Sequence, residues 1–287
     1  MVKESLKESL KISWQNPGLW FLGFLSTLFF IPTNEFLFVF SFPLSLFFLY
    51  EFKLKEGFAG EKIPFFLILI IFLIFFCLIF ISVFSEVFLI NFIKRKKKEE
   101  SLKEVGRESL KLTGKIFLLK IFVAFLLIFF WILSNIFLKK SDSFFVIFYI
   151  FVSLLSLVLL FLLRYLIFFF VVEKKKILLA IKDSFLVLKE NFLKTIEMSF
   201  LLFLILFLYT FIFSIFFERG AFTYPLRVFN FFSIYLFGKT SFWPGIIFTA
   251  FFIILLSIFS SGFIAVYQIA SWLILFLKIR EKSVEKV

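Results

Sequence analysis

The 287-residue chain is 62% hydrophobic, has a mean hydropathy of +1.10 and is only 18% charged. Soluble domains are roughly half apolar with charge spread throughout, so this composition excludes an ordinary soluble domain and indicates a chain whose solvent is lipid. The net charge of +13 lies in short runs at the ends of apolar segments, which membrane orientation explains better than a nucleic-acid partner does. His is absent and the single cysteine, Cys77, lies within an apolar segment, so we expect no disulfide, metal site or cofactor.

Three segments share one order of residues, namely an acid, a serine and an apolar residue on an amphipathic, cationic stretch. They read Glu8-Ser9-Leu10, Glu108-Ser109-Leu110 and Asp183-Ser184-Phe185. Each is followed by one apolar span and then by a second, longer span that ends in a cluster of Lys or Arg. We interpret this order as one unit used three times, over residues 1–98, 99–172 and 173–280, within a single transmembrane domain that covers residues 1–287.

Six apolar segments approach or exceed the ~20 residues that a helix needs to cross a bilayer. They are Gly18–Ile31, Pro64–Ile93, Ile116–Leu138, Phe144–Val172, Met198–Phe217 and Gly245–Leu277. A further apolar segment, Phe36–Tyr50, is interrupted by Pro43 and is short for a crossing, and Phe229–Phe237 holds the equivalent place before the last span. We therefore predict an all-α, polytopic membrane bundle of six transmembrane helices, with seven crossings as the alternative.

The basic residues predict the orientation, because cationic loops resist translocation. With six crossings and both termini in the cytoplasm, 23 Lys and Arg lie on the inner side and 8 on the outer side. If Phe36–Tyr50 also crosses, the N-terminus moves outside and the distribution becomes 20 against 11. The prediction is a multi-pass protein of the cell membrane with N- and C-termini in the cytoplasm.

The stretches that open each unit have a helical apolar period with charges beside it. We expect each to lie at the inner headgroup layer or to cover a neighbouring helix end that protrudes from the bilayer, with a solvated cytoplasmic linker as the alternative. The apolar positions are Val2, Leu6, Leu10 and Trp14 in the first stretch, Leu102, Val105, Ser109 and Leu112 in the second, and Leu178, Ile181, Phe185, Leu188 and Phe192 in the third.

Two ionisable residues, Glu86 and Arg164, lie well within predicted spans, where lipid would reject an isolated charge. Together with Gln268 they lie at a similar depth, eight to ten residues before the first cation of their clusters. If the units pack around a pseudo-threefold axis, Glu86 and Arg164 pair and Gln268 hydrogen-bonds one of them. An architectural role is favoured for this cluster over a substrate or proton path. Ser260, Ser261 and Gly262 are a candidate kink in the last span.

The run LLRYLIFFFVVEKKKILLAIKDSFLVLKENF, from Leu162 to Phe192, resembles a known membrane domain. That domain occurs beside some glycerophosphoryl diester phosphodiesterases and in stand-alone prokaryotic membrane proteins. The opening SLKISWQNPGLWFLGFL is similar to the start of such proteins. The matching positions are Arg164, Glu173, Ala180, Ser184 and Asn191, with Asn16, Pro17 and Trp20 in the opening.

The resemblance implies a six-helix membrane domain of unsettled function. It does not imply phosphodiesterase activity, because that chemistry belongs to a separate soluble barrel that needs His and paired acids. We expect a non-enzymatic protein that organises or senses the inner leaflet, or supports a membrane-protein partner, with anionic inner-leaflet lipids bound by its cationic amphipathic helices. The alternative is a transporter or carrier of a lipid or other amphiphile, with its site at Glu86, Arg164 and Gln268. An intramembrane enzyme ranks last, since the residue types it needs are missing.

Overall fold

A computed structural model describes residues 1–27, 65–95, 102–138, 142–218 and 242–284. Helices account for nearly all of these residues, and no strand occurs among them, so the all-α prediction is confirmed for this part of the chain. Phe36–Tyr50 and Phe229–Phe237 lie outside it. The helices are α1 (Val2–Gln15), α2 (Gly18–Thr27), α3 (Phe65–Arg95), α4 (Leu102–Leu138), α5 (Asp142–Val172), α6 (Ile177–Glu190), α7 (Phe192–Glu218) and α8 (Phe242–Val284).

Five of the helices, α3, α4, α5, α7 and α8, are long and apolar enough to cross a membrane. They fit a multi-pass membrane protein. The helix α2 is apolar but has only 10 described residues, so the first predicted span is seen only as far as Thr27. The choice between six and seven crossings depends on residues outside the described ranges.

Asparagine marks two of the boundaries between an amphipathic helix and the apolar helix that follows it. The Asn16 side chain donates to the Ile12 carbonyl at 2.5 Å, and Pro17, which has no backbone N–H, cannot continue α1. The backbone N–H of Asn191 donates to the Val187 carbonyl at 3.0 Å, between α6 and α7. By contrast, α4 is one uninterrupted helix of 37 residues that joins the second amphipathic stretch to the span predicted at Ile116–Leu138.

The second spans of the three predicted units, α3, α5 and α8, finish at the same end of the bundle, which we call the basic end. There the Lys94 amine donates to the Val172 carbonyl at 2.5 Å, and Arg280 donates to Glu173 at 2.7 Å. Lys174 follows α5 with a φ of +54°, the left-handed conformation that commonly ends a helix. The basic end thus ties α3 to α5 and α5 to α8.

The core is centred on α5 and α8 near the basic end. Trp272 and Phe276 of α8 are fully buried and pack against aromatic residues of α5, with ring centroids 6.3 Å apart for Trp272 and Tyr165 and 5.0 Å apart for Phe276 and Phe169. The helices α3, α5 and α8 also contact one another. These three long helices therefore form the centre of the bundle at this end.

Glycine brings α2 and α8 into close contact. A Cβ atom on Gly262 would overlap the carbonyl oxygen of Trp20, and a Cβ atom on Gly23 would overlap that of Gly262. Small residues at such crossings let helix backbones approach closely in a membrane, where lipid is as apolar as the side chains it replaces. The helix α8 is continuous through Ser260, Ser261 and Gly262, and Gly262 serves this contact.

Candidate functional site

The acid of each acid-serine segment forms an ion pair at the basic end. Glu8 lies 3.5 Å from Lys278, Glu108 pairs with Arg95, and Asp183 accepts a hydrogen bond of 2.5 Å from Lys175. These cations stand at the end of α8, at the end of α3 and just after α5, respectively. The first two cations belong to long helices of other predicted units, so Glu8 anchors its segment to α8 and Glu108 anchors its segment to α3. The third pair is local, because Lys175 and Asp183 both lie in the unit 173–280, and α6 itself packs on α5.

The serine of each segment is buried where the segment packs on the bundle. The hydroxyl oxygens of Ser9 and Ser271 are 2.6 Å apart, and the Asn91 side chain donates to the Ser109 hydroxyl at 3.0 Å. Ser184 is also buried and donates to the Ala180 carbonyl of its own helix at 2.6 Å. The small side chain permits close helix approach while its hydroxyl stays hydrogen-bonded.

The face by which α1 packs is different from the apolar face that the sequence indicates. Ser5, Ser9 and Ser13 are fully buried, whereas Leu10 is 48% exposed and Trp14 is 70% exposed. The hydroxyls of Ser5 and Ser13 donate to carbonyls one turn back in α1, so this small face is buried without losing hydrogen bonds. Of the predicted apolar positions Val2, Leu6, Leu10 and Trp14, only Val2 is buried.

The third amphipathic helix, α6, packs in the same way. Its buried residues are Ala180, Ser184, Val187 and Leu188. Most of the predicted apolar face is exposed instead, and Leu178 is the most exposed of these side chains. The helices α1 and α6 thus pack against neighbouring long helices, and most of their larger apolar side chains remain at the protein surface. In the second stretch the predicted face packs as expected, with Val105 and Ser109 buried.

The small face of α1 provides a direct test of this packing. We expect Ser9→Leu to lower the free energy of unfolding by about 1–3 kcal/mol, because a larger side chain has no room between α1 and α8. Leu10→Ser, which changes the adjacent exposed position, is the control and should change stability by less than about 0.5 kcal/mol in detergent. Thermal unfolding in detergent measures both, and an equal loss for the two variants would contradict the assignment of the buried face.

The two ionisable residues predicted within the spans meet in one buried cluster. The Arg164 guanidinium of α5 lies 3.3 Å from one carboxylate oxygen of Glu86 on α3, and the Lys120 amine of α4 pairs with the other oxygen. Glu86 is 7% exposed and Arg164 is 8% exposed. One carboxylate thus joins two cations from different helices, and the three side chains together have a formal charge of +1.

The predicted third member, Gln268, does not join this cluster. It is 1% exposed, and neither its side-chain oxygen nor its nitrogen has a hydrogen-bond partner among the described residues. The expected hydrogen bond to Glu86 or Arg164 is therefore absent. Lys120, which completes the cluster, was not among the predicted site residues. Its place inside the predicted span Ile116–Leu138 was the signal that could have identified it.

Gln268 is not alone in lacking partners on α8. The indole N–H of Trp272, one helical turn further on, also has no hydrogen-bond partner in the described part of the chain. The Trp272 ring packs instead against Phe161, with 6.1 Å between centroids. Each unmade hydrogen bond of a buried group costs about 1–3 kcal/mol. At Gln268 and Trp272, α8 therefore stabilises the bundle through packing and not through side-chain hydrogen bonds.

Several residues that support the resemblance lie in contacts between helices or at helix boundaries. Glu173 accepts hydrogen bonds from Arg280, Ser184 is buried against α5, and Asn191 separates α6 from α7. In the opening segment, the indole N–H of Trp20 donates to the Ser13 carbonyl at 2.9 Å across the break between α1 and α2. These side chains fix how each amphipathic helix meets its neighbours.

An ion network next to Glu173 holds the start of α6. Lys175 contacts Glu173 at 2.8 Å and Asp183 at 2.5 Å. Partial burial acts to lower the pKa of Lys175, but the hydrogen bonds and charges of Asp183 and Glu173 outweigh burial and raise this pKa. The amine therefore stays charged at physiological pH, and its contribution to stability is lost only as the pH rises through the raised pKa.

Within residues 1–27, 65–95, 102–138, 142–218 and 242–284, no group of three or more His, Cys, Asp or Glu side chains could hold a metal ion. No protein-family model, curated protein or solved structure matches this chain. The functional assignment therefore depends on the geometry of the amphipathic helices and of the buried cluster.

Proposed function

We propose that this is a non-enzymatic, multi-pass protein of the cell membrane that organises or senses the inner leaflet through α1 and α6. Its basic end lies at the cytoplasmic side with both termini, in agreement with the distribution of Lys and Arg. Anionic lipids of the inner leaflet are its partners, and a membrane-protein partner is compatible with the same surface.

The observation that supports this function best is the outward apolar face of α1 and α6. Both helices are fixed to the bundle by small side chains, while Leu10, Trp14, Leu178 and Phe185 remain at the surface. Lysines flank these apolar side chains on both helices, at positions 7, 11, 182 and 189. Apolar side chains that enter the acyl boundary, beside cations that reach the headgroups, are typical of helices that bind anionic leaflets.

We further propose the full architecture of six crossings in three units. The three acid-serine segments support it, because Glu8 and Glu108 pair with cations of another unit and α6 packs on α5 of the second unit. The resemblance to the membrane domain that accompanies glycerophosphoryl diester phosphodiesterases agrees with six helices and contributes no catalytic residue. In this architecture α3, α5 and α8 surround the axis and the first span of each unit lies outside them.

Spin-labelled lipids test the proposed function. In bilayers that contain the protein, we expect labelled phosphatidylglycerol to be motionally restricted about fivefold more strongly than labelled phosphatidylcholine, with less preference at high salt. Replacing Lys7, Lys11, Lys182 and Lys189 by Gln should remove most of this preference. Replacing the same four residues by Arg should preserve it, because the charge is retained. Equal restriction of both lipids by the unmodified protein would contradict the proposal.

A carrier of an anionic amphiphile is the second candidate, and the charge of the buried cluster favours it. Glu86, Lys120 and Arg164 place one carboxylate and two cations within apolar spans, and ionisable side chains at such depth are typical of a path for a charged substrate. The architectural role is the stronger of the two proposals, because the cluster joins α3, α4 and α5 directly.

A further inference from the structure

A groove of about 870 Å³ lies between α1 and α8 on the surface of the bundle. Its volume is within the range of about 300–1,000 Å³ that is usual for ligand sites. One end is apolar and the other is charged. The apolar end is lined by Leu10, Trp14 and Phe263, and the charged end by Glu4, Lys7, Glu8, Lys11 and Lys278.

The apolar end is formed by two rings in edge-to-face contact. The centroids of Trp14 and Phe263 are 6.0 Å apart with their planes at 89°. Trp14 is nevertheless mostly exposed, and the neighbouring Leu10 is also exposed. The contact holds the Trp14 ring in place and leaves much of its surface free for a hydrocarbon chain. Tryptophan is also the side chain that most favours the boundary between headgroups and acyl chains.

The charged end contains two lysines without a carboxylate partner. Lys278 lies 3.5 Å from both Glu4 and Glu8, so its charge is compensated. The pKa of Glu4 is lowered, first by the N-terminal ammonium and then by Lys278, which keeps this acid ionised. Lys7 and Lys11 are exposed and form no ion pair within the described residues. They lie one turn apart on α1 and present their amines to the same side.

The direction of α1 places these features at matching depths of a bilayer. The contacts of Glu8 with Lys278, Ser9 with Ser271 and Trp14 with Phe263 run antiparallel along α8, so α1 is aligned with the long helix. Seven residues separate Lys7 from Trp14, or roughly 10 Å of helix. The headgroup layer is about 5–7 Å thick on each side of the hydrocarbon core. Lys7 and Lys11 are therefore at the depth of the phosphates when the rings of Trp14 and Phe263 are at the depth of the acyl chains.

We propose that this groove is a binding site for one anionic phospholipid molecule. The phosphate lies between the amines of Lys7 and Lys11, and an acyl chain lies along Trp14, Phe263 and Leu10. The inference rests on the proposed function for the placement of the basic end in the inner leaflet. It adds a discrete, stoichiometric site to the general attraction between basic helices and an anionic surface.

Native mass spectrometry tests the site on the full chain released from nanodiscs of phosphatidylethanolamine and phosphatidylglycerol. We expect one phosphatidylglycerol per chain to remain bound to the unmodified protein. The double variant Lys7→Gln and Lys11→Gln should retain it about 30-fold less, since each lysine near a membrane surface contributes about fivefold. The double variant Lys182→Gln and Lys189→Gln removes the same charge from α6 and should retain the lipid as the unmodified protein does.

The possible outcomes separate the site from the general function. Equal loss of lipid in both double variants would overturn the groove and leave the inner-leaflet function standing. Unchanged retention in the Lys7 and Lys11 variant would also overturn the groove. Loss of preference for anionic lipid in the spin-label experiment, with the single bound lipid retained, would overturn the general function instead.

Fluorescence quenching tests the apolar end separately. The emission contributed by Trp14, obtained as the difference between the unmodified protein and Trp14→Phe, should be quenched more strongly by phosphatidylglycerol with brominated chains than by brominated phosphatidylcholine. Because Trp14 is mostly exposed, we expect the Phe variant to fold. Equal quenching by the two lipids would contradict an acyl chain held next to Trp14 by its anionic headgroup.

Discussion

Replacing Glu86 by Gln should destabilise the protein by about 3–5 kcal/mol, and replacing either of its two cations should have a much smaller effect. Without this carboxylate, Lys120 and Arg164 lose the group that joins them and remain next to each other as two like charges in an apolar region. Lys120→Met or Arg164→Met leaves one carboxylate with one cation, which is a neutral pair. We therefore expect Lys120→Met and Arg164→Met to be more stable than Glu86→Gln in thermal unfolding in detergent. Equal losses for all three variants would contradict this view.

An exchange of charges tests the contribution of Lys120. In the double variant Glu86→Arg and Arg164→Glu, the new arginine lies beside Lys120, so rescue should be incomplete. Adding Lys120→Met removes that repulsion and should restore stability further. Full rescue by the double exchange would contradict the contact with Lys120.

The single cation variants, which we expect to fold, also test the carrier alternative, because a carrier of anionic amphiphiles would then transfer lipid between vesicle leaflets more slowly.

The second large effect is expected at Gly262. Substitution by Ala should destabilise the bundle by about 3 kcal/mol or more, because the new methyl group would overlap the backbone carbonyl of Trp20 and force α2 away from α8. Gly114→Ala is a matched control in the middle of α4, since a Cβ atom there meets nothing within 4 Å. It should raise helix stability by up to about 1 kcal/mol. If Gly262→Ala is as stable as Gly114→Ala in thermal unfolding, the close approach of α2 and α8 is wrong.

The apolar spans could be predicted from the sequence because bilayer thickness sets their length and backbone hydrogen bonding requires a helix. The predicted span Phe144–Val172, for example, nearly coincides with the helix Asp142–Val172. The proximity of Glu86 and Arg164 followed from the cost of an isolated charge in lipid. The sequence did not predict that Gln268 lies outside the cluster. Counting residues from the helix end gives the depth of a side chain but not its direction around the helix axis.

The face by which α1 packs could not be predicted from the sequence, for a different reason. Hydrophobic period identifies the buried face of a helix in water, where burying apolar surface drives association. Between helices in a membrane that force is weak, and small side chains that permit close approach are preferred. Ser5, Ser9 and Ser13 are therefore fully buried, while Leu10 and Trp14 remain largely exposed. The hydrophobic period of α1 is present in the sequence, but such a period identifies the buried face of a helix only where water drives the packing.

The anchoring of α1 has a consequence for the order of assembly. Ser9 meets Ser271 across a sequence separation of 262 residues, and Glu8 meets Lys278. The second segment finds its partners in α3, and α6 packs on α5, so both contact helices that have already been synthesised. The first segment must wait for the synthesis of α8, because domains are built from the N-terminus onward. Packing of α1 on α8 therefore follows synthesis of the other described helices, and until then the serine face of α1 is open to other helices.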